Sequence, residues 1–256
     1  MSYAITIATR GAARWALLES WLPALGLQEE PPACVVLINN NGDSAMPTMR
    51  LPELPFEVVV LPNDFLTLGD AHGSQTALQQ IGKDYDTLVK WDDDLIPDGR
   101  GCLSRLVRLV RAGFAAAGGL YPQAAMAGAG RLGEKGLIPY GAANRQLQFH
   151  GWSGSPVVIR RRHLYSSFAY DPKLAAEVGG FCTEYSRLGY RHETDFTLRL
   201  DHARPGLAVD TGATATHLVH PGGVRELSPE DHKQLALQDI ALFTRRMSEL
   251  GIDPTL

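Results

Sequence analysis

The chain opens with a regular alternation of short apolar runs and longer stretches of helical spacing. Ala4 to Thr9 (AITIAT) is a β-rich run, and Arg14 to Leu25 carries apolar residues at the spacing of one helix face, ending near Gly26. Cys34 to Ile38 (CVVLI) and Phe56 to Leu61 (FEVVVL) are continuous apolar runs of strand length. Each runs into a polar turn, Asn39-Asn40-Asn41-Gly42-Asp43 after the first and Pro62-Asn63-Asp64 after the second. Leu68 to Ile81 reads as a helix, Thr87 to Trp91 as a strand, and Gly101 to Ala112 as an amphipathic helix with its arginines outward. Repeated β and α units predict a parallel sheet covered by helices, an α/β fold of Rossmann-like type. In such sheets ligands bind beyond the carboxyl ends of the strands, which is where the polar turns fall.

After about residue 115 the pattern loosens. Phe114 to Leu120, Gln146 to His150 and Pro156 to Ile159 read as short strands around Gly-rich stretches over 121–145. Glu193 to Leu200 begins a helix, and Ala213 to Val219 is an extended run. Ser228-Pro229-Glu230-Asp231 has a capping serine, a proline at the first helical position and acids in the first turn, so it starts a helix reaching near Leu250. No repeat or linker divides the chain, and a single domain over 1–256 with a mixed-sheet second half is expected.

Composition narrows the field. With 24 basic and 28 acidic residues the formal net charge is −4, which offers no footprint for general nucleic-acid binding. Cys34, Cys102 and Cys182 are widely spaced and odd in number, suggesting neither a disulfide framework nor a structural zinc site. No run approaches the roughly 20 apolar residues of a membrane span, and the N-terminal stretch lacks a basic leader. The expectation is a cytoplasmic protein, soluble or at most peripheral to a membrane.

Candidate chemistry centres on "VKWDDDLIP", residues 89–97. Two carboxylates about 5 Å apart repel by roughly 3 kcal/mol at an effective dielectric near 20, so such a triplet must be solvated, protonated or holding a cation. An acidic turn is often only a solvated loop, but apolar runs bracket this one on both sides. Asp92 and Asp94, two apart, share one side of an extended backbone and suit a hard divalent ion, Mn²⁺ or Mg²⁺. Asp93 then points the other way and serves the structure of the turn.

These segments resemble the family 2 glycosyltransferases of GT-A type. Ile5-Thr6-Ile7-Ala8-Thr9-Arg10 is similar to the family's opening strand and T-x-N-R turn, and Asn39-Asn40-Asn41-Gly42-Asp43 to its second-strand segment, with asparagine where aspartate is usual. Asn63 to Gln75 resembles the segment ending in A-R-N, and "WDDDLIPDG" resembles the D-x-D motif. Val178-Gly179-Gly180-Phe181 followed by His192-Glu193-Thr194-Asp195-Phe196-Thr197-Leu198-Arg199-Leu200 resembles the family's G-G-F segment and its E-D-x-D-L-x-x-R-L site of the general base. The resemblance implies a nucleotide-sugar half over 1–119 and an acceptor half over 120–256. It also implies a metal-dependent, inverting sugar transfer from a nucleoside-diphosphate sugar, a UDP-sugar being favoured, to a glycan or lipid-linked acceptor in surface-polysaccharide assembly.

By the same resemblance Thr9, Arg10, Asn39, Asn40, Asn41, Asn63, Asp92 and Asp93 face the donor. Asp92, Asp94 and His217 hold the ion, with His220 a rival to His217, and Glu193 is the base with Asp195 second. Trp152 is an apolar platform for a sugar ring, and Arg160, in the Arg160-Arg161-Arg162 run, meets acceptor or phosphate charge. The segment HLYSSFAYDPKLAAEV, between Arg162 and Gly179, is longer than the family's usual connection and is expected to shape the acceptor pocket. Two other readings stand beside this one. A non-catalytic nucleotide-sugar-binding protein would tolerate the departures at Asn39–Asn41 and His192. A sugar-nucleotide pyrophosphorylase would need a glycine-rich phosphate loop that residues 8–14 do not provide.

Overall fold

The computed structural model describes residues 2–41, 51–63, 65, 69–125, 138–139, 156–219 and 227–253. In chain order the elements are β1 (Tyr3–Thr9), α1 (Ala12–Trp21), β2 (Cys34–Asn39), β3 (Glu57–Pro62), α2 (Asp70–Ile81), β4 (Thr87–Lys90), β5 (Leu95–Pro97), α3 (Cys102–Arg111) and β6 (Ala116–Leu120). There follow β7 (Pro122–Ala125), β8 (Ile138–Pro139), β9 (Val158–Arg161), β10 (Phe168–Tyr170), α4 (Pro172–Glu177), α5 (His192–Ala203), β11 (Leu207–Val219) and α6 (Pro229–Glu249). The helix expected to reach Leu25 stops at Trp21, because Pro23 cannot donate to the α-ladder, and a 3₁₀ turn over Leu22–Leu27 takes its place. The expected strand at 146–150 lies outside the described residues.

The strands form one sheet in the order β3-β2-β1-β4-β10-β6-β11-β7-β8, with β5 and β9 pairing onto β11. β3, β2, β1 and β4 are mutually parallel, as the βα alternation predicts. β10 runs antiparallel to both β4 and β6, and β6 is parallel to β11. The segment read as an insert near the acceptor is thus corrected in part: Phe168–Tyr170 is a fully buried strand in the middle of the sheet. Three residues suffice because they are paired on both edges.

Both faces of the sheet are covered. Tyr3, Ile5, Ile7, Val35 and Leu37 pack with Trp15, Leu18 and Trp21 of α1 and with Leu103, Leu106 and Val107 of α3. Their neighbours Ala4, Val36, Ile38 and Leu88 turn to the other face and meet Ala77 and Leu78 of α2 and Phe196 and Leu200 of α5. Strands buried on both faces read as unbroken apolar runs, which is why β1 and β2 show no polar alternation. The helices leave one rim of the sheet, the carboxyl ends of β1, β2, β3 and β4, to polar residues.

Candidate active site

Along that rim the parallel register sets Thr9 beside Asn39 and Asn39 beside Pro62. The amides there tie the strand ends together. Asn39 Oδ1 accepts from the backbone and side chain of Asn41, and Asn41 Oδ1 accepts from the Gly11 N–H at 2.7 Å. Asn63 Nδ2 donates to Asn40 Oδ1 at 2.6 Å, and Asn63 Oδ1 accepts from the Phe65 N–H. Arg10 is exposed beside them. Asp43, Asp64 and His220 lie outside the described residues.

The acidic triplet sits in a turn between β4 and β5, closed by a hydrogen bond from Leu95 N–H to Asp92 carbonyl. The turn changes the expected apportioning. Asp93 does not point away from Asp94: the Arg14 guanidinium reaches Asp93 Oδ1 at 2.9 Å and Asp94 Oδ2 at 2.6 Å, while Thr9 Oγ1 donates to Asp93 Oδ2 at 2.7 Å. A tight turn, unlike an extended strand, does not send neighbouring side chains to opposite sides. Burial pushes the Asp93 carboxyl up to about 7 against the pull of Arg14. For Asp94 burial also works upward, yet the hydrogen bond with His217 and the Arg14 charge hold it well below the usual carboxylate range. His217 Nε2 lies 2.8 Å from Asp94 Oδ1, brought there by the pairing of β11 with β5, which sets His217 opposite Leu95.

Asp92 takes part in a second group. The buried Lys90 Nζ lies 2.7 Å from Asp70 Oδ2, 2.9 Å from Asp92 Oδ1, 2.9 Å from Glu193 Oε1 and 3.0 Å from the Ser166 carbonyl. Burial opposes the ammonium charge, but Asp70, Asp92 and Glu193 hold its pKa well above the ordinary lysine value. Ser166 Oγ donates to Asp92 Oδ2, and Ser166 itself adopts a left-handed φ of 60°. A non-glycine residue held there marks a site where surrounding contacts outweigh backbone preference. His192 Nε2 meets Asp70 Oδ2 at 3.0 Å, and although burial lowers an imidazole pKa, Glu193 and Asp70 raise this one to about 9.

The G-G-F segment fixes α5, the helix that carries Glu193. Phe181 stacks on Phe196 with ring centres 3.9 Å apart, and the Phe181 N–H donates to Gln75 Oε1 at 2.7 Å. Gly180 has φ 70°, and a Cβ there would lie 2.2 Å from that same Gln75 oxygen, so a side chain at this position would be strained and would displace the Gln75 amide from the Phe181 N–H. Arg199 donates to the Val178 and Gly180 carbonyls at 2.6 and 2.7 Å and to Asp195 Oδ1 at 2.6 Å. Asp195 also accepts from Arg246 of α6 at 2.7 Å and from Tyr185 at 3.1 Å. The structure therefore brings Glu193 to Asp92 and places Asp195 in a separate buried cluster. Arg160 lies on β9 opposite Ala208, towards the other end of β11 from His217, with its guanidinium 6.0 Å from the Phe114 ring centre. Trp152 is outside the described residues.

Reading the sequence missed Lys90, Asp70, Arg14 and Ser166. One signal was present for Lys90: a charged residue closing the otherwise apolar strand TLVK must be paired if that strand is central. Asp70, Arg14 and Ser166 carry no comparable mark, since only the tertiary fold brings them to the triplet.

Among the described residues, two groups of three acidic or histidine side chains have ligand atoms within 4.8 Å of one another, Asp92 with Asp94 and His217, and Asp70 with His192 and Glu193. The first, two carboxylates and an imidazole, fits Mn²⁺ or Mg²⁺ in donor chemistry and spacing. In the second, Asp70 and Glu193 lie against the Lys90 ammonium, which Asp92 of the first group also meets, while Asp94 meets Arg14, so both groups face a basic side chain. No helix among the described residues is long and apolar enough to cross a membrane.

No known family model and no curated protein matches the chain. Solved structures do. GalNAc-T7 with UDP, GalNAc and Mn²⁺ superposes with a TM-score of 0.61 at 13% identity, over 93% of this chain and 48% of that one. S. aureus TarS 1-349 in complex with UDP-GlcNAc gives 0.61 at 14% identity, over 95% and 66%. The mannosyltransferase PcManGT from Pyrobaculum calidifontis, in complex with GDP-Man and Mn²⁺, gives 0.58 at 12% identity, over 97% and 64%. The chain thus spans about half to two thirds of the length of these solved chains. At such identity the likeness concerns architecture, and the architecture is the GT-A fold that these glycosyltransferases share.

Proposed function

We propose that the chain is a metal-dependent inverting glycosyltransferase of family 2 type. It moves a sugar from a nucleoside-diphosphate sugar, a UDP-sugar being favoured, to an acceptor hydroxyl in glycan or surface-polysaccharide assembly. The observation that carries this reading is the meeting of Glu193 with the ion-competent trio: its carboxylate and Asp92 share the Lys90 ammonium at the carboxyl rim of the sheet. The names of the solved relatives, with UDP, UDP-GlcNAc and GDP-Man in their sites, support the donor class.

In this reading Glu193 accepts the proton of the acceptor hydroxyl as the oxygen attacks the anomeric carbon opposite the departing diphosphate, so the configuration inverts. Asp92, Asp94 and His217 hold Mn²⁺ or Mg²⁺, and the bound ion supplies charge neutralisation on the leaving nucleoside diphosphate. Arg14 fixes the Asp93-Asp94 turn from below. Thr9, Arg10 and the amides of Asn39, Asn40, Asn41 and Asn63 form the rim against which the nucleoside lies. Asp195 acts through Arg199 on the G-G-F segment.

The test is calorimetric titration of UDP and GDP with and without Mn²⁺, on the wild type and on Asp94→Ala. Nucleotide binding should need Mn²⁺ and weaken at least about tenfold in the variant, the scale of one lost charged ligand. Binding that is independent of metal and indifferent to Asp94→Ala sinks the proposal.

A further inference from the structure

An ammonium has three protons to donate, and Lys90 has four oxygens within 3.0 Å: Asp70 Oδ2, Asp92 Oδ1, Glu193 Oε1 and the Ser166 carbonyl. One acceptor is therefore always short of a full hydrogen bond. The same Asp92 carboxylate belongs to the trio suited to a divalent ion, whereas Asp70 and Glu193 belong to the other group. A cation taken up by Asp92 relieves the excess, leaving three acceptors for three protons.

From this we infer that Lys90 is a positioning residue that couples the ion seat to the base, an inference that rests on the donor reading above. With the seat empty, Lys90 neutralises Asp92 and competes for it. With the seat filled, Lys90 transfers its third hydrogen bond to Asp70 and Glu193 and locks the Glu193 side chain at the rim. The ion and the base are thus linked through one side chain, and by reciprocity each alters the other's binding energetics. Lys90 is suited to this task because it is buried, lies on the central strand β4 and is anchored by the Ser166 carbonyl, so it has nowhere else to go.

The experiment titrates Mn²⁺ alone into the wild type, Lys90→Met, Glu193→Gln and the double variant. Removing the competing charge should tighten Mn²⁺ binding at least about tenfold in Lys90→Met, a conservative reading of Coulomb interaction at an effective dielectric near 20. Glu193→Gln should weaken Mn²⁺ binding severalfold, because Lys90 then stays on Asp92, and that weakening should vanish in the Lys90→Met background. Equal Mn²⁺ affinity in the wild type and a cooperatively folded Lys90→Met, or strictly additive effects in the double variant, overturn the coupling. Should Lys90→Met not fold, Asp70→Asn carries the test: Mn²⁺ affinity should fall severalfold, and an unchanged value overturns the coupling. A wild type that binds no Mn²⁺, with or without UDP, overturns the donor reading and this inference with it, a result distinct from binding without coupling.

Discussion

Glu193 and Asp195 stand two positions apart on one helix and meet opposite surroundings. Glu193 keeps 18% of its side chain exposed and shares one ammonium with Asp70 and Asp92. Asp195 has none exposed and is enclosed by Arg199, Arg246 and Tyr185. Two helical positions turn the side chain by about 200°, enough to send one acid to the crevice and the other to the packing between α5 and α6. A carboxylate that takes a proton from a substrate has to reach it, whereas one that orients arginines is better sealed. Burial and partners, rather than the E-x-D spacing, set the two acids apart.

The comparison breaks most sharply in activity. Glu193→Gln should lower nucleoside-diphosphate release from donor and acceptor by about 10²–10⁴-fold, the usual worth of a general base, with little change in thermal stability. Full activity in that variant would remove Glu193 from the role. Asp195→Asn should act on stability instead. It leaves Arg199 and Arg246 without their buried counter-charge, and a loss of about 3 kcal/mol in urea unfolding is expected. An unfolding midpoint equal to that of the wild type would show the cluster to be energetically idle.

A third effect, seen only as a dependence on pH, concerns His192, which opens the same helix. Its pKa is held near 9, above the unfolded value of 6.5, so the folded state binds the proton more tightly. The stabilisation is full below about pH 6.5 and is lost as pH rises through 9, a span worth on the order of 3 kcal/mol. Stability measured from pH 6 to 9.5 should fall in the wild type and stay flatter in His192→Gln. Parallel profiles would place the proton elsewhere.

Much of this was legible in the chain. β1, β2 and β4 are largely apolar runs that fit a sheet covered on both faces, and the polar turns after them fall at the carboxyl ends of the strands. Asp94 and His217 are singled out through the family resemblance, and the structure sets them 2.8 Å apart. β10 was not legible: FAY is too short for a periodic signal, and its strand state derives from neighbours on each side. The same holds for Arg14 and Asp70, whose positions at the site depend on how α1 and α2 dock against the sheet. A residue pattern reports what its own segment needs, while a buried ion network is a property of several segments at once.

The place of β10 bears on how the molecule assembles. β4 and β6 do not pair with each other; both pair with a strand that lies more than 45 residues further along the chain than β6. Until Phe168–Tyr170 takes its place, β4 and β6 each present an unpaired edge to it, and the other edge of β6 pairs with β11, which lies later still in the chain. Such long-range closure is slow relative to local hairpin formation, and an open edge invites pairing with other chains. Lys90 is paired with Phe168 in the closing register, and Ser166 lies two residues away. β10 thus brings Ser166 to Lys90, whereas Glu193 of α5 and His217 of β11, the strand that pairs with the other edge of β6, follow it in the chain, so the charged cluster draws on both ends of the sequence.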